Sequence, residues 1–501
     1  MKIRIILYTL LSAVLFSSCL DKEPYDSVPA DKSITTVEQA DQAVIGIYSA
    51  FKSSALYSGL LTILPDLQCD YVYAVNGYSN TYGDIWRGEL LATNNEITSV
   101  YGTLYGIIAQ CNFVLDAMDK MKPGIQDDDQ LDHLEQLYGE AYFARALCYS
   151  ELIKLFCNAY ESEAQAQNEL GVVLVSHYKS DEPMRRSSLA DSYAFVLRDL
   201  ERAAAFLTVP EDMAVYNTGY FNEYTAYALR ARIALYMRQW DEAVKYATKV
   251  IDSEQYLLSS CSEQISSGVS YYDYMWQYDQ STEVIWKVLF ETTSYGGALG
   301  RIFFNYDFRS YTPDYVPAAW VLDLYDSRDL RASSFFRTAT TGYAHGLQWP
   351  LLYKYFGNAD FMQQNILHVT MPKVLRLSEQ YLIRAEAYVN KSTPNYTAAA
   401  KDIATLRSAR YQTKVNTVAL NESNAMTLIE EERVKELYME GFRLMDLKRW
   451  HKGFKRTPQT ETLTNGNKLE YLPGDVRLTW PIPQHELESP NAQIEPNASN
   501  K

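Results

Sequence analysis

Two distant stretches of this chain carry the same spacing. "LRARIALYMRQWDEAVKYATKV" (Leu229–Val250) places Arg230-Ala231 in one apolar-periodic segment and Trp240-x-x-Ala243-x6-Val250 in the next. "LIRAEAYVNKSTPNYTAAAKDIATL" (Leu382–Leu406) repeats this as Arg384-Ala385, then Tyr396-x-x-Ala399-x6-Leu406. Apolar residues at intervals of three and four mark helices, so each stretch reads as a helix, a turn and a second helix. Small residues let the two helices approach closely, and the aromatic plugs the start of the turn between them. "FARALCYSELIKLF" (Phe143–Phe156), with Arg145-Ala146, has the character of another first helix. Such a unit cannot bury its apolar face alone and must stack on others.

The pairs resemble tetratricopeptide helix pairs, though not as a tandem array. The same periodicity predicts helices near 37–53, 97–120, 130–157, 189–207, 220–238, 240–252, 377–391, 396–411 and 425–450. Thr36 is the expected N-cap of the first, with Gln39 three residues on. Long insertions fall at 65–92, 260–320 and 335–370, mixing aromatics with Gly, Asn, Asp and Pro. Loops of this length in a compact protein are functional or disordered, and the aromatic content favours function. "STEVIWKVLF" (Ser281–Phe290) alternates enough for a short strand. The fold class is therefore mainly α: a scaffold of tetratricopeptide-like helix pairs with loop-rich insertions and little β. Its expected divisions are 1–18, 19–220 and 221–501.

The N-terminus sets the address. Lys2 and Arg4 precede an apolar run, Ile5–Phe16, too short for the roughly 20 residues that cross a bilayer and suited to a secretory signal. Ser17-Ser18-Cys19 follows, in "SAVLFSSCLDKEP" (Ser12–Pro24). This resembles the bacterial lipobox, in which the thiol is acylated and becomes the new N-terminus. Phe16 departs from it, since an aliphatic residue is commoner there. Cys19 is the expected lipidation site, giving a protein anchored to a membrane without spanning it.

At 501 residues and 47% apolar the chain can bury a large core. Its net charge of −16 becomes −18 once Lys2 and Arg4 leave with the signal, which disfavours nucleic acid. With Cys19 acylated, the five remaining cysteines show no CxxC spacing and read as small buried residues. Cys148 and Cys157 fall on opposite faces of one helix and should not bridge. Tyrosine is abundant, at 41 residues, and its flat apolar ring with a polar tip suits half-polar ligands. Patterns that would carry catalysis are missing. The six histidines have no HExxH spacing, GxSxG and phosphate-binding glycine loops are absent, and nothing marks a facing carboxylate pair. The chain reads as a binding protein, not an enzyme, with no catalytic residue, metal or cofactor.

"IEEERVKELYMEGFRLMDLKRW" (Ile429–Trp450) reads as one amphipathic helix with an apolar stripe of Val434, Leu437, Tyr438, Gly441 and Met445. Gly441 permits close approach by another helix. Glu431 with Lys435, and Glu440 with Arg443, are expected as ion pairs on its face. The stretch also resembles the signature helix of the SusD/RagB family through Glu432-Arg433, Glu436-Leu437, Glu440-Gly441, Arg443, Asp446-Leu447 and Arg449-Trp450. "RLSEQYLIRAEAYVN" (Arg376–Asn390), "LTWPIPQHELESPN" (Leu478–Asn491) and "LYGIIAQCNFVLDAM" (Leu104–Met118) resemble other family segments, with Ser489 where Asn is commoner. The resemblance implies an α-helical protein with four tetratricopeptide-like pairs and ligand loops outside them. It implies a lipid-anchored outer-membrane protein facing the cell exterior, with Asp21-Lys22-Glu23 as its export signal. The implied partners are a SusC-like TonB-dependent transporter and an oligo- or polysaccharide ligand. The RagB branch of the family takes peptides instead, and a helical-repeat scaffold for protein partners is the remaining reading.

A glycan site needs rings for sugar C–H faces and Asn, Asp or Arg for hydroxyls. Aromatic burial over a few sugar rings gives only a few kcal/mol, so affinities are expected in the micromolar to millimolar range, about −8 to −4 kcal/mol. The candidates in the first insertion are Asp70, Tyr73, Asn76, Tyr78, Tyr82 and Trp86. Those in the second are Tyr295, Arg301, Tyr306 and Trp320. Trp86 and Trp320 equally suit a place buried beneath the loops.

Overall fold

The computed structural model of the chain describes residues 33–500 apart from 180–183, 210–217, 307, 344–347, 458–467 and 491. The signal segment and Cys19 lie outside the described residues. Helices dominate, and the strands are two to five residues long. The principal helices are α1 (Val37–Ala50), α2 (Leu60–Leu67), α3 (Asn95–Met121), α4 (Asp128–Phe156), α5 (Leu189–Phe206), α6 (Glu223–Tyr236) and α7 (Trp240–Ile251). After the one-turn α8 (Arg301–Phe304) come α9 (Leu377–Asn390), α10 (Tyr396–Arg410), α11 (Ala425–Leu437) and α12 (Arg443–Arg449). Their starts follow ordinary capping chemistry. Thr36 accepts from the Gln39 N–H at 3.3 Å, Asp127 from Gln130 at 2.9 Å and Ser188 from Asp191 at 3.0 Å.

Helix α4 packs on α3 and α5, α6 on α7, and α9 on α10, while α7 also packs against α9, so successive pairs stack. The repeated alanines form the seams: Ala231, Ala243, Ala385 and Ala399 have no exposed surface. The arginine beside each repeated alanine reaches to a neighbouring helix. Arg145 on α4 grips Asp199 on α5 at 2.7 and 2.9 Å. Arg384 on α9 grips Asp402 on α10 at 2.9 and 2.7 Å. Arg230 on α6 lies over the Tyr246 ring of α7 at 5.3 Å. The motif is thus a stitch between packed helices.

Short strands fasten the insertions to this scaffold. β1 (Val72–Ala74) pairs antiparallel with β3 (Tyr315–Pro317), in the register Val72–Pro317 and Ala74–Tyr315. β2 (Val284–Lys287), where a strand was expected, pairs antiparallel with β4 (Lys373–Arg376). The main core is continuous from Ile34 to Ile482, with a smaller cluster around α9–α11. Cys69, Cys111, Cys148, Cys157 and Cys261 are buried and unbridged. No helix among the described residues is long and apolar enough to cross a membrane.

The expected single helix 425–450 is corrected. α11 ends at Leu437, and Met439 (φ 59°) and Gly441 (φ 83°) turn left-handed before α12 begins. The reason is tertiary. A Cβ on residue 441 would lie 3.0 Å from the Leu61 carbonyl oxygen, so glycine lets the turn press onto α2. Asp66 on α2 accepts the Gly441 and Arg443 N–H groups at 2.9 and 2.8 Å. Lys354 and the Tyr355 hydroxyl donate to the carbonyls of Tyr438 and Met439. The carbonyls of Tyr438 and Met439 and the N–H groups of Gly441 and Arg443, freed by breaking the helix, thus have partners.

The expected helix-surface ion pairs are replaced too. Glu440 joins Lys354 and Arg376, Arg443 joins Asp70, and Lys435 lies nearest Glu432 and Asp329. At the centre, the Glu436 carboxylate accepts from Arg376, Arg410 and Arg331 at 2.9, 2.9 and 3.1 Å. Glu283 accepts from Arg376 at 2.7 Å and from Arg410 at 2.8 Å. These side chains are 0–2% exposed, so the signature is a buried ionic hub, not a solvated face. Burial pushes the Glu436 carboxyl up, but the guanidiniums of Arg410 and Arg376 override it and hold it well below the usual range.

Candidate functional site

A cleft of about 690 Å³ opens where the insertions meet the scaffold. Its walls come from the 54–63 turn and α2, the 79–82 loop, the first turn of α3 and the 297–305 segment. The floor depends on a close approach. Ser58 Oγ donates to the carbonyls of Lys52 and Ser53 and accepts from the Gly297 N–H at 2.9 Å. A Cβ on residue 297 would lie 2.6 Å from the Ser58 carbonyl oxygen, which accounts for glycine there. Ser54, Ser58, Ser79, Thr81 and Ser99 bring hydroxyls, Asn95 and Asn305 bring amides, and Tyr82 brings a ring. This is the size and mixed lining of a small-molecule site.

Three charged residues line the cleft. Asp314 is buried and already taken, accepting the Ser79 N–H and hydroxyl at 2.9 Å. Glu96 lies in the first turn of α3, where its charge complements the helix N-terminus. Arg301 opens α8 and is exposed. The Tyr82 phenol is pushed up by partial burial and by Glu96, with Arg301 pulling the other way. Tyr82 (φ 56°) and Asn305 (φ 42°) both adopt left-handed backbone. Asn tolerates it, but for a bulky tyrosine it costs about 1–3 kcal/mol. Strain of that kind collects at binding sites.

Of the residues expected from sequence, Tyr82 and Arg301 line the cleft. Tyr295 is 45% exposed and immediately precedes the Gly296-Gly297 pair. Tyr306 follows Asn305, stacked on Tyr311 with centroids 4.7 Å apart and beside exposed Phe308. Its N–H donates to His368 Nε2 at 3.3 Å, while His368 Nδ1 donates to the Phe356 carbonyl at 2.9 Å. Burial lowers the His368 pKa and keeps that neutral tautomer. Asn76 is exposed and outside the cleft lining, and the Tyr78 hydroxyl is held by Asn80 and Arg87.

Four residues sit in the framework instead. Trp86 is fully buried, donating to the Val72 carbonyl at 3.2 Å beneath the Arg456 guanidinium. It has no face to offer a ligand, so its reading as a stacking platform is corrected. Asp70 is locked by Arg443 at 2.9 and 2.8 Å. The Trp320 indole donates to the Asp70 carbonyl at 2.8 Å, and Tyr73 is buried in the β1–β3 pair. Trp86 fits the alternative of a place beneath the loops, whereas Trp320 is half-buried.

Comparison with known proteins bears on the same regions. Residues 19–235 match a family described as starch-binding associating with outer membrane, and residues 336–497 match the SusD family. The chain belongs to the SusD family. A SusD-like protein of Formosa agariphila is 23% identical over 307 residues, 58% of this chain and 52% of that protein, so the match spans about half of that relative's length. A solved SusD superfamily protein from Bacteroides thetaiotaomicron superposes with a TM-score of 0.77 at 25% identity, covering 92% of this chain and 99% of that one. A solved putative sugar binding protein from Bacteroides vulgatus gives 0.77 at 25% identity, covering 94% and 100%. In this SusD family member the signature residues Gly441 and Arg443 hold α2 through Asp66, and α2 presents Leu60 and Ile63 to the cleft.

Sequence reasoning missed Ser54, Ser58, Asn95, Glu96, Ser99 and Asn305. Serine and asparagine at helix starts and turns read as capping chemistry, and nothing in their spacing separates a cap from a ligand contact. "FKSSALYSGLL" (Phe51–Leu61) held a usable signal, three serines and a glycine between two helices.

Proposed function

We propose that this protein captures an oligosaccharide in the cleft and passes it to a SusC-like TonB-dependent transporter, held at the outer membrane through acylated Cys19. The observation that carries the reading is the lining of that cleft: five hydroxyl side chains, two amides and the Tyr82 ring, gathered where the insertion loops meet the start of α3. Hydroxyls and amides exchange hydrogen bonds with sugar hydroxyls, and a ring takes the apolar sugar face. The family described as starch-binding, and the B. vulgatus neighbour described as sugar binding, support the same ligand class. Each sugar hydroxyl bond replaces one to water, so net affinity stays modest. Modest affinity means fast release, which suits handover.

The test is native electrophoresis of residues 20–501 through gels cast with different polysaccharides. Retardation by one glycan class, abolished by Tyr82→Ala and preserved by Asn76→Ala, is the expected result. Absence of retardation by every glycan, with calorimetric binding to peptides, would replace this reading with peptide capture.

A further inference from the structure

Arg301 is unlike the arginines of the framework. Those of the hub each hold two or more carboxylate contacts, and Arg145, Arg232, Arg384, Arg433, Arg443 and Arg449 are each forked onto an acid. Among the described residues no carboxylate, carbonyl or ring engages the Arg301 guanidinium, although the chain holds 62 acids against 46 basic residues. Of the two acids that share its cleft, Asp314 is held by Ser79, and Glu96, in the first turn of α3, does not pair with Arg301. Arg301 still acts electrically on its surroundings: its charge is felt by the Tyr82 phenol and by the His368 imidazole. The cleft thus has a cation without a counter-ion among hydroxyls and amides.

We infer that the cleft selects an anionic sugar, with the Arg301 guanidinium forked onto a uronate carboxylate while Ser99 and Asn95 take hydroxyls of the same or adjoining residues. The inference rests on the glycan-capture reading and narrows its ligand class. A planar guanidinium matches a carboxylate with two parallel N–H···O bonds. A sulfate ester offers similar oxygens, so the probes must separate the two. The negative field of the protein opposes any anion. A local, geometrically matched cation is the means by which such a ligand would still be held.

The experiment is calorimetry of residues 20–501 with oligogalacturonate, the same oligosaccharide after carboxyl reduction, and a sulfated galactan oligosaccharide. Binding of oligogalacturonate, weakened about tenfold or more by carboxyl reduction, is expected. Arg301→Gln should lose the same factor for the acidic sugar and nothing for its reduced form. Arg301→Lys should recover part of the loss, because the charge remains and the fork does not. Equal affinity for acidic and reduced forms, with no effect of Arg301→Gln, would overturn the inference and leave glycan capture standing. Preference for the sulfated probe would overturn the uronate assignment. Failure of all three probes would overturn it as well, and only failure across the polysaccharide gels would remove glycan capture itself. Circular dichroism of Arg301→Gln guards against misfolding, and an exposed side chain gives no reason to expect it.

Discussion

The ionic hub and the ligand cleft are built from the same residue types to opposite ends. In the hub, Arg331, Arg376 and Arg410 are buried and saturated by Glu283, Glu432, Glu436 and Asp329. In the cleft, Arg301 is exposed beside an acid with which it does not pair. Saturated charge inside a protein fixes geometry, because removing one partner strands the others in a poor solvent. Unsaturated charge at an opening has little to do for the fold and is available to a ligand. Motif density is therefore a poor guide to function in this chain. The most charged stretch of sequence, Ile429–Trp450, holds the frame, and the cleft is lined by scattered serines and asparagines.

The comparison is broken most forcefully at Glu436. Glu436→Gln should remove about 3–5 kcal/mol of stability, read as a lowered urea midpoint, since three guanidiniums lose their shared carboxylate. Trp86→Ala should cost a similar 3–5 kcal/mol by opening a cavity under Arg456, with any loss of glycan binding tracking loss of folded protein. Had Trp86 been a platform, stability would hold and binding would fall.

Acid should dissect the hub more gently. Burial raises the Glu432 carboxyl, but Arg331, Lys435 and Arg407 bring it down to about 2 from an ordinary 4.5. A carboxyl lower in the folded state contributes stability that is complete above pH 4.5 and is lost as pH falls toward 2. The loss is of the order of 3 kcal/mol for Glu432, with Glu436 acting in the same sense. Thermal melts at pH 6, 4 and 3 should show the Tm falling mainly between the last two. Gly297→Ala is expected to cost about 1–3 kcal/mol, because the new methyl meets the Ser58 carbonyl. It should also reshape the cleft floor and weaken binding.

How much of this could be read in the sequence follows from the range of the forces involved. Helix positions came from apolar periodicity, a local property, and α4, α9 and α10 lie within two residues of where spacing put them. The break at Met439–Gly441 was invisible because its causes, Asp66, Lys354 and Tyr355, are remote in sequence. The ion partners were misread for the same reason: a neighbour at i+3 or i+4 is a good guess until a charge from another segment, such as Asp70 for Arg443 or Arg376 for Glu440, lies closer. In the cleft, Tyr82 and Arg301 were legible because rings and guanidiniums in glycine- and asparagine-rich loops have few structural duties. Ser58 and Asn95 were not, since their local roles would look identical without a ligand.

The finest test separates strain from support at Tyr82. Its left-handed backbone costs about 1–3 kcal/mol, while its half-buried ring returns part of that through apolar contact. Tyr82→Gly removes both: the φ of 56° becomes unstrained and the ring contact disappears. The two changes oppose one another, so net stability should move by no more than about 1 kcal/mol, measured as a near-unchanged urea midpoint. Glycan retention in native gels should nevertheless be lost, and Tyr82→Phe should keep most of it because the stacking face remains. A large fall in stability for Tyr82→Gly would place Tyr82 with Trp86 in the framework. Near-neutral stability with lost retention would mean that the loop is held in a costly conformation to point one ring at a ligand.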